Sequence, residues 1–172
     1  WSNSRCFPLS SPRVHTAPAR LADKIRSPRL LASIVRQLRR GGHRVVFTNG
    51  CFDLLHVGHV TLLEQAKRLG DVVIVAINSD RSVRALKGPA RPVVRQDDRA
   101  LVLAALSCVD YVTIFDERTP SRLITELKPD VLVKGSDWSA GKIVGAEFVK
   151  RYGGRVVRVK LVDDYSTTKL LQ

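Results

Sequence analysis

The chain has 172 residues, 44% hydrophobic and 26% charged, which is one domain's worth of globular sequence and excludes wholesale disorder or two ordinary domains with a linker. Its 29 Lys and Arg against 16 Asp and Glu leave a formal charge of +13, a balance that suggests nucleic acid, an anionic membrane or phosphate-bearing small molecules. The three cysteines (Cys6, Cys51, Cys108) are far apart and in no metal-ligand spacing, and no run is long and apolar enough to span a bilayer. A reducing, cytoplasmic setting without membrane attachment is therefore expected.

Residues 1–26 mix Ser, Pro and Arg with no hydrophobic period and read as an irregular basic arm. Through residue 40, nine basic side chains meet a single acid, Asp23, so most of the charge excess sits in the first quarter of the chain. There is no methionine, and the chain is expected to begin at a processed or trimmed end, without the apolar core of a signal peptide. From Ser27 the pattern changes. Ser27 suits a cap, Pro28 the first helical position, and Leu30, Leu31, Ile34, Val35 and Leu38 recur at helical spacing until Gly41-Gly42. Short β-branched runs then alternate with amphipathic ones: strands are predicted at 44–49, 72–78, 111–115, 131–134 and 155–161, and helices at 57–69, 97–107, 120–127 and 146–152, with a short final turn from Ser166. The first, second and fourth strands are nearly continuous apolar runs, as in parallel strands covered on both faces. The alternation predicts an open, doubly wound α/β sheet that binds ligands beyond the carboxyl ends of its strands.

Most of the chemistry lies in Thr48-Asn49-Gly50-Cys51-Phe52-Asp53, followed by His56-Val57-Gly58-His59. The chain there leaves a strand, turns at Gly50 and enters a helix, so free backbone N–H groups and the positive helix end suit phosphate oxygens. His56 and His59 fall on one side of the helix start, and Gly58 lets a ligand approach the backbone. Two histidines could also bind a metal, but no Cys, His or Glu follows at ligand spacing, and His15 and His43 lie upstream. Helix capping and core packing are the remaining readings. Farther on, Arg81, Arg84, Lys87, Arg91 and Arg95 form a run with no acid from residue 81 to 96. Gly88, Pro89 and Pro92 make it read as a loop: a basic flap closing on phosphates, led by Lys87, or else a solvated face. Cys51 reads as a small buried residue rather than a reactive thiol, since no base or second thiol is evident beside it.

These motifs, with Leu86-Lys87-Gly88-Pro89-Ala90-Arg91-Pro92, Asp98-Arg99, Lys134-Gly135-Ser136-Asp137 and Ser166-Thr167-Thr168 in the same order, resemble the nucleotidyltransferase family bearing the HxGH signature, in its cytidylyltransferase-like branch. The resemblance runs from about residue 27 to the end and implies a single Rossmann-like domain over 27–172, a five-stranded parallel sheet with helices on both faces. Within the branch the chain is most similar to the heptose 1-phosphate adenylyltransferases. That likeness implies that ATP and D-glycero-β-D-manno-heptose 1-phosphate give ADP-heptose and pyrophosphate for the lipopolysaccharide inner core, by in-line attack on the α-phosphorus with Mg²⁺ accompanying ATP. The sugar-kinase domain fused to such enzymes in some bacteria does not fit in 172 residues, so a stand-alone domain is expected; relatives commonly form homodimers.

By resemblance, His56, His59 and Lys87 are catalytic, the two imidazoles stabilising the α-phosphoryl transition state. Thr48, Asn49, Gly50, Cys51, Phe52, Asp53, Gly58, Arg91 and Arg99 are implied around the phosphates. Lys134, Gly135, Asp137 and Trp138 are implied around the base and ribose, and Ser166, Thr167 and Thr168 at a second oxygen-binding helix end. Asp53 either supports Mg²⁺ held mainly by phosphate oxygens or caps the turn. Arg99 either contacts phosphate or pairs with Asp97 and Asp98, and Trp138 either stacks on a ring or covers the core.

Two competing functions are set against this one. The first keeps the mechanism and uses CTP with glycerol 3-phosphate or another phosphorylated polyol. Against it, Leu161 stands where glycerol-phosphate cytidylyltransferases carry an arginine, and Asp163-Asp164 replaces a Glu-Gly-like pair. The second is a nucleic-acid-binding module using the basic arm, which lacks aromatic residues interleaved with its charges.

Overall fold

Five short runs rich in Val and Ile form the strands β1 (Val45–Gly50), β2 (Val72–Asn78), β3 (Tyr111–Phe115), β4 (Val131–Gly135) and β5 (Arg155–Val159). All pair in parallel, in the order β3-β2-β1-β4-β5, in a computed structural model that describes residues 20–136 and 139–160. The helices are α1 (Leu21–Lys24), α2 (Pro28–Arg40), α3 (Val57–Lys67), α4 (Asp80–Lys87), α5 (Gln96–Ala104), α6 (Ser121–Leu127) and α7 (Ala146–Arg151), with a 3-10 turn at Ala140–Lys142. None of them is long and apolar enough to cross a membrane.

Side-chain alternation along the strands builds two cores, one on each face. Val46, Val73, Val75 and Ile77 pack with Leu62, Leu63 and Ala66 of α3 and Leu103 of α5. Val45, Phe47, Ile74 and Leu132 pack on the other face with Leu31 and Val35 of α2, Ile124 of α6 and Val149 of α7. Each fully buried large side chain, such as Phe47, Ile74 or Leu132, contributes about 1.5–3 kcal/mol. The central strands β1, β2 and β4 are the continuous apolar runs of the sequence, as expected of parallel strands covered on both faces.

β1 lies between β2 and β4, so the winding reverses there and a crevice opens beyond the carboxyl end of β1. Gly70, at the entrance to β2, allows the close approach that places β1. A Cβ on it would lie 2.6 Å from Val46 Cγ2 and 2.8 Å from the Arg44 carbonyl oxygen, which accepts from the amides of Asp71 and Val72. Gly70→Ala is therefore expected to cost about 1–3 kcal/mol in urea unfolding; no measurable change would mean that the start of β1 gives way freely.

Two elements depart from the sequence reading. The segment 20–26, assigned above to an irregular arm, includes α1 and docks on the outer edge of β3: Ile25 bridges Val112, the Arg26 amide donates to the Val112 carbonyl, and Lys24 Nζ donates to the Val109 carbonyl at 2.8 Å. The basic run after β2 is not wholly a loop. Arg81, Arg84 and Lys87 lie in α4, which Ser79 caps by accepting from the Ser82 amide at 3.1 Å. Val83 anchors α4 in the core, and Gly88 at φ 94° ends it. Only 88–95 is irregular. The predicted turn from Ser166 lies outside the described residues.

Candidate functional site

At the carboxyl end of β1 the chain turns through 50–56 into α3, with His56 at the N-cap position but making no side-chain cap bond. Phe52 holds this turn in the left-handed region at φ 45°, a conformation uncommon for a bulky residue. Its ring crowds Gly50, where a Cβ would approach it to 3.1 Å, so a side chain there requires the ring to give by a few tenths of an ångström. The same ring lies 4.9 Å from that of His59, which stacks on His56 at 3.8 Å. Gly58 is buried in the first turn of α3, between the two histidines in sequence.

Several polar atoms here are buried without a hydrogen-bond partner among the described residues: Thr48 Oγ1, Asn49 Oδ1, His56 Nδ1 and His59 Nδ1. Buried polar groups are normally satisfied, so such a concentration marks a place where a ligand supplies the missing partners. Burial lowers the pKa of His56. Burial, then the charges of His56 and Lys87, push His59 down to about 4, against a weak opposing pull from the Leu54 backbone. Lys87, at the end of α4, thus acts electrostatically on His59.

Both rings are neutral at neutral pH, with a consequence for stability. Above the unfolded value of 6.5 neither state binds a proton at His59; below it the unfolded chain takes one up while the folded ring resists until about 4. The His59 contribution to stability is therefore lost as pH falls from 6.5 to about 4. His59→Gln should flatten the fall of the thermal unfolding midpoint across this window, and parallel curves for the two proteins would show that the ring is not held neutral.

Asp53 and Arg99 take roles other than those expected from sequence. Asp53 is 3% exposed and neither caps α3 nor stands free for a metal. Its Oδ2 accepts from Arg91 Nε at 2.6 Å, and its Oδ1 from the amides of Val93 and Val94 at 2.8 and 3.0 Å. Among the described residues no group of three His, Cys, Asp or Glu could hold a metal ion. Arg99 pairs with Asp80 rather than Asp97 or Asp98 and is turned into the protein, 2% exposed. It donates to Asp80 Oδ1 at 2.7 Å and to the carbonyls of Val94, Asn78 and Cys51, so its donors are spent on the scaffold.

Lys134, 7% exposed, reaches from β4 to donate to the Asn49 carbonyl at 2.7 Å, closing the crevice floor next to Gly135. Cys51 is half-buried, its Sγ 3.9 Å from Asn78 Oδ1. Asp137, Trp138, Ser166, Thr167 and Thr168 lie outside the described residues. Beside the crevice, a cavity of about 700 Å³ opens over the ends of β2 and β3, lined by Arg81, Arg84, Arg95, Asp97 and Asp116 among others. Sequence reasoning missed Asp80 and the amides of Val93 and Val94. Asp80 was legible only as the first acid after β2, and backbone donors carry no sequence signal.

The chain matches the cytidylyltransferase-like family model over residues 47–170. The bifunctional protein HldE of Koribacter versatilis is 58% identical over 142 residues, 83% of this chain and 29% of that protein. The bifunctional protein HldE of Syntrophotalea carbinolica is 54% identical over 149 residues, 87% of this chain and 30% of that protein. The chain thus spans about 30% of the length of these curated relatives. Among solved structures, the lipopolysaccharide core biosynthesis protein from Thermoplasma volcanium superposes with a TM-score of 0.61 at 27% identity, over 71% of this chain and 100% of that one. The pantoate-beta-alanine ligase of Francisella tularensis, TM-score 0.58 and 16% identical over 86% of this chain and 75% of that one, shares the fold. With the family model covering most of the sheet and the whole histidine turn, the chain belongs to the cytidylyltransferase-like family of nucleotidyltransferases.

Proposed function

We propose that the chain is an adenylyltransferase that joins ATP to D-glycero-β-D-manno-heptose 1-phosphate, giving ADP-heptose and pyrophosphate in the cytoplasm for lipopolysaccharide inner-core synthesis. The observation that carries the chemistry is the stacked His56–His59 pair at the mouth of β1, with both Nδ1 atoms buried and unpartnered among the described residues. The direction toward lipopolysaccharide is supported by the similarity to the lipopolysaccharide core biosynthesis protein from Thermoplasma volcanium.

A phosphate oxygen of the sugar attacks the α-phosphorus, the bond to the bridging oxygen of the β-phosphate breaks, and pyrophosphate leaves without a covalent enzyme intermediate. Such a displacement asks the protein for positioning and charge neutralisation. His56 and His59 hold and stabilise the α-phosphoryl oxygens, Lys87 brings a cation to the same place, and Thr48 and the backbone of 49–52 align the chain of phosphates. The cavity over β2 and β3, with guanidiniums and carboxylates in its wall, offers partners for both the phosphate and the hydroxyls of the sugar. Mg²⁺, when bound with ATP, would be held mainly by the phosphates and would offset their charge. The described residues supply no cluster of ligands for it and Asp53 is fully engaged, so no protein ligand is assigned to it. A homodimer is the proposed assembly, checked by sedimentation.

Pyrophosphate release measured with ATP, CTP, GTP and UTP, each against a panel of sugar 1-phosphates and glycerol 3-phosphate, tests the reading. Turnover is expected with ATP and the heptose phosphate. Turnover confined to CTP and glycerol 3-phosphate would replace it with the cytidylyltransferase alternative.

A further inference from the structure

We propose that Asp53 and Arg99 are positioning residues that clamp the 88–95 segment onto the 51–53 turn, and that Asp53 orients Arg91 toward the anionic substrate. A buried carboxylate must be compensated, and the compensation found for Asp53 comes from a segment 38 to 41 residues away: Arg91 Nε and the amides of Val93 and Val94. Arg99 grips the same segment from the other side, its Nε donating to the Val94 carbonyl at 2.9 Å and its Nη1 to the Cys51 carbonyl. The Val94 residue is therefore held at its N–H by Asp53 and at its C=O by Arg99. Both grips end in the turn that leads to the histidines. A surface segment with two prolines and a terminal glycine would otherwise lose considerable conformational entropy on ordering at the site; these bonds order it in the free protein.

The pairing of Arg91 is one-sided. Asp53 Oδ2 takes Nε at 2.6 Å and lies 2.5 Å from Nη2 of the same edge, so the carboxylate holds the guanidinium along one side only. A guanidinium fixed along one edge presents its remaining donors in a set direction, which suits phosphate oxygens. This assignment also disposes of the metal role for Asp53, since both of its oxygens are already filled by cationic or amide donors. Only the activity arm of the test rests on the function proposed above.

Asp53→Asn keeps an oxygen for the two amides and removes the charge that holds Arg91. In the substrate-free full chain, amide hydrogen exchange at Val93 and Val94 is expected to accelerate by about tenfold or more while β1 and β2 stay protected. Unchanged exchange would overturn the clamp, whatever the substrate proves to be. With ATP and the heptose phosphate, Asp53→Asn and Arg91→Ala should each lower kcat/KM by about 10–100-fold, the double variant no further, with the Mg²⁺ half-saturation unmoved. Independent, additive losses, or activity restored to Asp53→Asn by excess Mg²⁺, would overturn the assignment. Absence of turnover in the unaltered protein would count against the substrates, and the exchange result would still decide the clamp.

Discussion

Replacing His59 with alanine is expected to lower pyrophosphate-forming turnover by about 10²–10³-fold without unfolding the protein. The imidazole has few structural contacts: it stacks on His56 at 3.8 Å, touches Phe52 and is hydrogen-bonded to the Leu54 backbone, while its Nδ1 is unpartnered among the described residues, so the stability cost is on the order of 1 kcal/mol. Its electrostatic duty is larger. In the free protein, burial, then the neighbouring His56 and Lys87, hold it neutral, with a pKa of about 4. A bound triphosphate brings several negative charges against the same ring and reverses the sign of the local field, which raises the pKa and favours uptake of a proton. The charged ring then donates a stronger hydrogen bond to the phosphoryl oxygens as charge gathers on them. Turnover and circular dichroism of His59→Ala test the first part. Proton uptake on adding ATP in weak buffer, reduced in the variant, tests the second. Near-normal turnover would remove His59 from the mechanism.

The second large effect concerns Arg99, and it falls on folding. Arg99→Ala would strip the hydrogen bonds from the carbonyls of Cys51, Asn78 and Val94 and leave Asp80 without its ion pair. Removing one partner of a buried, hydrogen-bonded charge typically costs about 3–5 kcal/mol, a large share of the roughly 5–15 kcal/mol that stabilises a domain. Urea unfolding should show that loss. Arg99→Lys should lie between, because an ammonium keeps the charge but cannot match a planar guanidinium reaching four acceptors. A loss below about 1 kcal/mol for the alanine variant would mean that water replaces the guanidinium without difficulty.

How far such roles can be read from sequence depends on where the partners lie along the chain. The strand at 72–78 was legible to the residue because all seven of its side chains are buried and most are β-branched. The helix after Ser27 was equally plain, since Ser27 and Pro28 start it with strictly local chemistry. The strand–turn–helix around Gly50 and His56 was also local, and it placed the histidines correctly. By contrast α4 was hidden by its charge: Val83 is its only buried large apolar side chain, too little for a hydrophobic period, although Ser79 and Gly88 were available as caps. Arg99 has nearer acids in Asp97 and Asp98 than its real partner Asp80, and Asp53 meets Arg91 across 38 residues. Only the folded topology creates these pairs, by bringing the ends of β1 and β2 together.

The Phe52 ring has one more implication, for how this turn can vary. A side chain begun at position 50 would lie 3.1 Å from the ring, closer than ordinary contact, so positions 50 and 52 are not independently replaceable. A larger residue at 50 has to displace the aromatic ring at 52 or be accompanied by its loss. Loss of that ring, in turn, uncovers one side of His59. A randomised library at position 50 alone should therefore return glycine, whereas a library at both positions should return correlated pairs in which a small residue at 52 accompanies any gain at 50. The two sites would then change as one unit, with the reactivity of the histidine as the quantity they jointly constrain.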